Sequence, residues 1–136
     1  MAENSGGLVS TLGFRILPEA EEGVVEAEME VTPALSQPFG FCSGGAFLAL
    51  EETLAGVGSR RISGEDALPL GIQVSANHVK AVPVGGRVRA VARALQRGYR
   101  IQVWNVDLFN EAGELVSSAR VTNAVKRGLA GGGKAA

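Results

Sequence analysis

Two adjacent carboxylates, Glu51 and Glu52, stand in an otherwise apolar stretch, Gly44 to Ser59, reading GGAFLALEETLAGVGS. Phe47, Leu50, Leu54 and Val57 recur there at helical spacing, so the stretch predicts a buried helix. Neighbouring residues on a helix point about 100° apart. Glu51 therefore shares a face with Phe47 and Leu54, and Glu52 one with Leu48 and Ala55. At least one of the two must be poorly solvated, and a buried carboxylate needs a partner or a chemical role. The partner could be Arg60, Arg61 or an arginine from a strand; the role could be that of a nucleophile or general base.

The segment that feeds this helix, Gln37-Pro-Phe-Gly-Phe-Cys-Ser-Gly-Gly45, is rich in glycine. The first turn of a helix has free amides and partial positive charge, which can hold a carbonyl oxygen as charge develops on it. Glycines let a ligand approach the backbone, and they serve close packing against a sheet equally well. Gly44 and Glu52 are eight residues apart, about 12 Å along a helix. If the amide and the carboxylate both act on one carbonyl carbon, they come from different copies of the chain.

The other reactive side chains have plainer readings. His78 is the only histidine and falls in a strand-like run, where it reads as structural. Cys42 is the only cysteine. It has no nearby histidine or aspartate partner and reads as a small buried thiol. A single cysteine permits no internal disulfide, which fits a reducing, cytoplasmic setting. The lone histidine and cysteine match no metal-ligand spacing, so no metal is expected. Ser43 lacks both a Gly-x-Ser-x-Gly frame and a triad. Trp104 reads as core or interface. Tyr99, at a hairpin tip, could cover a purine base or stand exposed.

The elements that must position these groups follow a period of two. Val25, Ala27, Met29 and Val31 alternate with Glu26, Glu28 and Glu30, the signature of a strand with one wet face. Val88, Ala90, Ala92 and Ala94 alternate with Arg87, Arg89 and Arg93, with Val91 out of pattern. Ile101 to Val106 and Leu115 to Val125 add further strands, as do Gly13–Pro18 and Leu70–His78. Arg97-Gly98 and Asn110-Glu-Ala-Gly113 read as the turns between them. The sum is an α+β domain over 8–125: a curved antiparallel sheet of about five or six strands around one central helix. Such a sheet leaves an edge open to pairing between copies. Residues 1–7 and the Gly/Ala-rich 126–136 read as flexible termini.

The chain has 136 residues and a net charge of −1, with 46% apolar and 20% charged residues. This composition is globular and argues against nucleic acid as the main partner. Met1 to Gly7 does not read as a signal peptide, and the longest apolar run, Ala46 to Leu50, is too short for a bilayer.

The run Gln37-Pro-Phe-Gly…Ser43-Gly-Gly-Ala…Leu50-Glu-Glu52 resembles the active-site segment of hotdog-fold thioesterases of the 4-hydroxybenzoyl-CoA type. Gly71-Ile-Gln-Val-Ser-Ala-Asn-His-Val-Lys80, Gly86-Arg-Val-Arg89, Gln102-Val-Trp104 and Ser117-Ser-Ala-Arg-Val-Thr122 resemble a narrower branch. That branch holds the 1,4-dihydroxy-2-naphthoyl-CoA hydrolases of menaquinone synthesis and the thioesterases that proofread aryl carrier proteins.

The resemblance implies hydrolysis of an acyl-CoA thioester, with an aromatic acyl group, to the free acid and CoA. Glu52 then matches the nucleophile or general base, and Gly44 the glycine whose amide polarises the thioester carbonyl. Gln37 matches a glutamine that places the thioester or the attacking water. Gly71, the stretch His78, Val79, Lys80 and Ala81, and the turn Gln96, Arg97, Gly98, Tyr99 and Arg100 match segments that contact the substrate, chiefly its CoA part. Lys80, Arg97 and Arg100 would attract the CoA phosphates. CoA belongs to the substrate, so no separate cofactor is implied. A homodimer is required for the site, and relatives form dimers of dimers, that is, homotetramers. Ser43 stands where relatives carry histidine, and Glu51 where they carry a small residue. Partial burial of Glu52 is expected to raise its pKa. The rival functions are a hotdog dehydratase, which pairs histidine with a carboxylate, and a non-catalytic acyl-CoA-binding protein.

Overall fold

The structure is a computed structural model that describes residues 3–128. The parts of the expected loose ends at 1–2 and 129–136 lie outside the described residues. A short helix α1 (Gly7–Leu12) precedes β1 (Phe14–Ile16) and β2 (Val24–Glu30). A single 3-10 turn at Pro33–Leu35 leads through the glycine-rich loop into α2 (Gly44–Ser63). Four strands follow: β3 (Leu68–His78), β4 (Arg87–Arg97), β5 (Ile101–Phe109) and β6 (Leu115–Lys126). Every pairing is antiparallel, and the sheet runs β1-β2-β4-β5-β6-β3. The outer edge of β3 pairs with no strand among the described residues.

Helix α2 packs against β2, β3, β4, β5 and β6, so the sheet curls round it. The alternation in the sequence maps onto this arrangement. Val25, Ala27 and Met29 of β2 and Val88, Ala90 and Ala92 of β4 are buried, while Arg89 reaches across to Glu26 on the wet face. Phe47, Leu50 and Leu54 are buried under the sheet, each contributing about 1.5–3 kcal/mol by leaving water. The helix begins at Ser43, whose hydroxyl accepts from the Gly45 amide at 3.3 Å. It runs one turn past the expected end at Ser59. Arg60 and Arg61 suit the negative end of the helix dipole, and Gly64, at φ 94°, ends the run.

A polar seam fixes how α2 is rotated against the sheet. Trp104 Nε1 donates to Ser59 Oγ at 2.9 Å, and Asn123 Nδ2 donates to the same oxygen at 3.0 Å and to the Ala55 carbonyl at 3.1 Å. Gly58 faces the Trp104 ring so closely that a Cβ there would come within 2.3 Å of it.

Both ends of the described chain make contacts. The Asn4 amide bonds the Ile16 backbone at 2.9 and 2.7 Å, and Glu3 pairs with Arg61. Lys126 is paired with Leu68 in the sheet, and the Arg127 guanidinium lies 3.9 Å from the centre of the Tyr99 ring.

Candidate active site

The glycine-rich loop is closed by its own glutamine. Gln37 Oε1 accepts from the Phe39 amide at 2.6 Å and from the Phe41 amide at 3.4 Å. Its NH2 group is left as a donor without a protein partner among the described residues. Cys42 is buried, and burial pushes its thiol up to about 11, so it is an inert packing group. The Gly44 amide donates to no protein group among the described residues.

His78 packs against the helix start at Gly44. A Cβ on Gly44 would lie 2.8 Å from His78 Cδ2 and 3.0 Å from Nε2, so only glycine lets the ring come this close to the helix start. The ring is held edge-on by Phe47, with centroids 5.4 Å apart. On its other side Nδ1 lies 2.8 Å from Ser117 Oγ. The β3–β6 register pairs His78 directly with Ser117, which brings the two side chains together. Ser117 is itself buried and donates to Glu51 Oε2 at 2.7 Å.

Glu51 is fully buried, and its Oε1 has no partner. Burial raises its pKa from the ordinary 4.5 to about 7; the Ser117 hydrogen bond opposes this and the nearby Asp107 charge adds to it. Glu52 is exposed. The expected partial burial of Glu52 therefore does not hold in the protomer, where its side chain stays open to solvent beside β3. The ion-pair alternative fails for both glutamates among the described residues: Arg61 pairs with Glu3, and Arg60 donates to the Glu65 carbonyl.

Glu52 instead lies against Gly71. A Cβ on Gly71 would sit 2.2 Å from Glu52 Oε2. The register of β3 shifts between Gly71 and Gln73, and this bulge turns the glycine toward the carboxylate.

The segments expected to meet CoA fall at opposite ends of β6. Val79 and Lys80 bond the Val116 carbonyl through their amides, and Ala81 follows, exposed. Arg100 accepts from Val125 through its carbonyl, beside the exposed Tyr99. Ser117 and Ala124 are seven residues apart, about 23 Å along a strand. One protomer thus places Gly44, Gln37, His78 and Lys80 at one end, and Glu52, Gly71 and the Gln96–Arg100 turn at the other. Lys80 already pairs with Glu114 at 3.4 Å and Arg97 with Glu22 at 2.8 Å, while Arg100 makes no ion pair among the described residues. Gly98 accepts from Gln102 and helps shape the turn.

The sequence pointed to Gly44 and Glu52, and by resemblance to Gln37, but left open which glutamate is buried and gave no sign of the Ser117 contact. The signal for Glu51 was its shared face with Phe47 and Leu54. Ser117 gave none beyond an inward slot in β6. No helix among the described residues is long and apolar enough to cross a membrane.

The family model described as the thioesterase superfamily matches residues 39–117. A 1,4-dihydroxy-2-naphthoyl-CoA hydrolase of Escherichia coli is 35% identical over 124 residues, 91% of this chain and 90% of that protein. The proofreading thioesterase EntH of Klebsiella pneumoniae is 34% identical over 124 residues, 91% and 89% of the two chains. The crystal structure of a Haemophilus influenzae thioesterase superposes with a TM-score of 0.86 at 34% identity, covering 91% of this chain and 85% of that one. With this sheet curled round this helix, the chain belongs to the thioesterase superfamily and is a thioester hydrolase of the hotdog fold.

Proposed function

We propose that the enzyme hydrolyses an aromatic acyl-CoA, with 1,4-dihydroxy-2-naphthoyl-CoA the first candidate and a hydroxybenzoyl-CoA the second. The name of the Escherichia coli relative supports the naphthoyl group. The observation that carries the reading is the division of the site. A free Gly44 amide ends one half, and an exposed Glu52 carboxylate lies in the other, beyond reach of the same carbonyl carbon. The open edge of β3, with Leu70 and Ile72 exposed, supports pairing with a second copy that would close the gap.

In the assembled site the thioester oxygen accepts from the Gly44 amide, and the Gln37 NH2 group orients it or the water. Glu52 of the second copy attacks the carbonyl carbon, or takes a proton from a water that does. The CoA thiolate leaves; after direct attack a water then hydrolyses the mixed anhydride on Glu52, and on either route the free acid results. Lys80 and Arg100 attract the phosphates of CoA. A cavity of about 810 Å³ reaches Gly56 and Val57, one turn from Glu52, and offers room for a ring system.

The experiment is thiol release from a panel of aryl- and alkyl-CoA esters, with Glu52→Ala and Glu51→Ala alongside. Turnover that survives Glu52→Ala and is lost in Glu51→Ala overturns the assignment; binding without cleavage favours a carrier role. A second reading has one observation behind it. His78 at the helix start stands beside a carboxyl network, the pairing that a hotdog dehydratase uses. Loss of water from a 3-hydroxyacyl-CoA would select that reading.

A further inference from the structure

The buried chain behind Gly44 is more than packing. We propose that Glu51, acting through Ser117, sets which ring nitrogen of His78 carries its hydrogen, and so decides whether the imidazole donates to a substrate carbonyl oxygen held at the Gly44 amide. This rests on the thioesterase reading above and adds two positioning residues to it.

The geometry allows two directions of bonding. Glu51 Oε2, Ser117 Oγ and His78 Nδ1 form a continuous chain with links of 2.7 and 2.8 Å. A hydroxyl has one hydrogen to give, so the bonds run one way or the other. With Glu51 ionised and the ring neutral, Ser117 donates to the carboxylate and Nδ1–H donates to Ser117. Nε2 is then bare. With Glu51 neutral, its O–H donates to Ser117 and Ser117 donates to Nδ1. The ring hydrogen then sits on Nε2, which together with Cδ2 forms the edge of the ring facing Gly44. One proton gained at Glu51 thus becomes one donor gained at the helix start, beside an amide with no protein partner among the described residues.

The surroundings make the switch usable. Glu51 has no cation paired with it among the described residues. The titratable groups around it are His78 from β3, Asp107 from β5 and its neighbour Glu52 on α2. Its carboxyl changes charge near neutral pH, so both directions are populated in the working range.

His78 is the only histidine, which makes its nitrogen-15 resonances unambiguous. The test follows the neutral-ring tautomer across pH in the intact protein, together with kcat and KM. In the wild type the hydrogen should move from Nε2 to Nδ1 as pH rises through about 7. The kcat should fall about a hundredfold on the alkaline side, the scale of one lost oxyanion donor, with KM little changed. In Glu51→Gln and in Ser117→Ala the tautomer ratio should stay constant through that window, and the alkaline limb should vanish. A switch that survives in Glu51→Gln, or no switch in the wild type, overturns the proposal. A merely structural Glu51 would move the melting temperature and leave the tautomer alone. If the switch is present but no CoA ester is cleaved, the proposed function fails while the coupling of Glu51 to His78 stands.

Discussion

Glu51 and Glu52 differ by one helical step of about 100°. That step puts the first under β6 with a serine on one oxygen and nothing on the other, and leaves the second exposed beside Gly71. Depth in the protein and candidacy for chemistry run in opposite directions here. The carboxyl with the perturbed pKa is placed to tune a neighbour, whereas the exposed one is free to meet a substrate. A pKa criterion alone would pick Glu51, not the Glu52 proposed for the attack.

The contrast breaks most sharply if the exposed group proves dispensable. Glu52→Ala should lower kcat by about 10²–10⁴, the scale of a lost acid–base group, and shift stability by less than about 0.5 kcal/mol, as exposed substitutions do. Steady-state thiol release and urea unfolding measure the two.

The buried member should show itself in stability. Between pH 4.5 and about 7 the folded protein holds a proton on Glu51 that the unfolded chain releases. Its contribution is therefore full below 4.5 and is lost as pH rises to about 7. The loss amounts to about 3 kcal/mol at most. Glu51→Gln should flatten this slope and unfold later than the wild type at pH ~8, by chemical denaturation.

Gly71→Ala sharpens the comparison from the sheet side. The clash falls on the far end of a flexible side chain, so the carboxylate should move and the fold should hold. A displacement of that size costs up to about a hundredfold in kcat, and a crystal structure of the variant would show the carboxylate moved. The smallest effect belongs to the rim. Lys80→Ala removes an exposed cation already paired with Glu114 and should raise KM for CoA esters by no more than about fivefold, equivalent to about 1 kcal/mol.

Much of the architecture was legible because β2 and β4 alternate between a buried face and a wetter one. The glutamates of β2 and the arginines of β4 marked their alternation plainly. The end of α2 was not legible, since Arg60 and Arg61 look like loop residues until the helix dipole is considered. Helix α1 was invisible, being short, exposed and flanked by glycines. At the candidate site, Gly44 and Glu52 stood out from the loop and the helix, and Gln37 only through the resemblance. The Glu51–Ser117–His78 chain did not, because it depends on the register of β3 against β6, which no local pattern encodes. His78 looked like an isolated strand residue for the same reason.

The 12 Å that separate the helix start from Glu52 carry a kinetic consequence. If neither half works alone, rate per milligram should depend on how concentrated the protein is. Activity would fade on dilution below the self-association constant and return on adding an inactive variant with an intact opposite half.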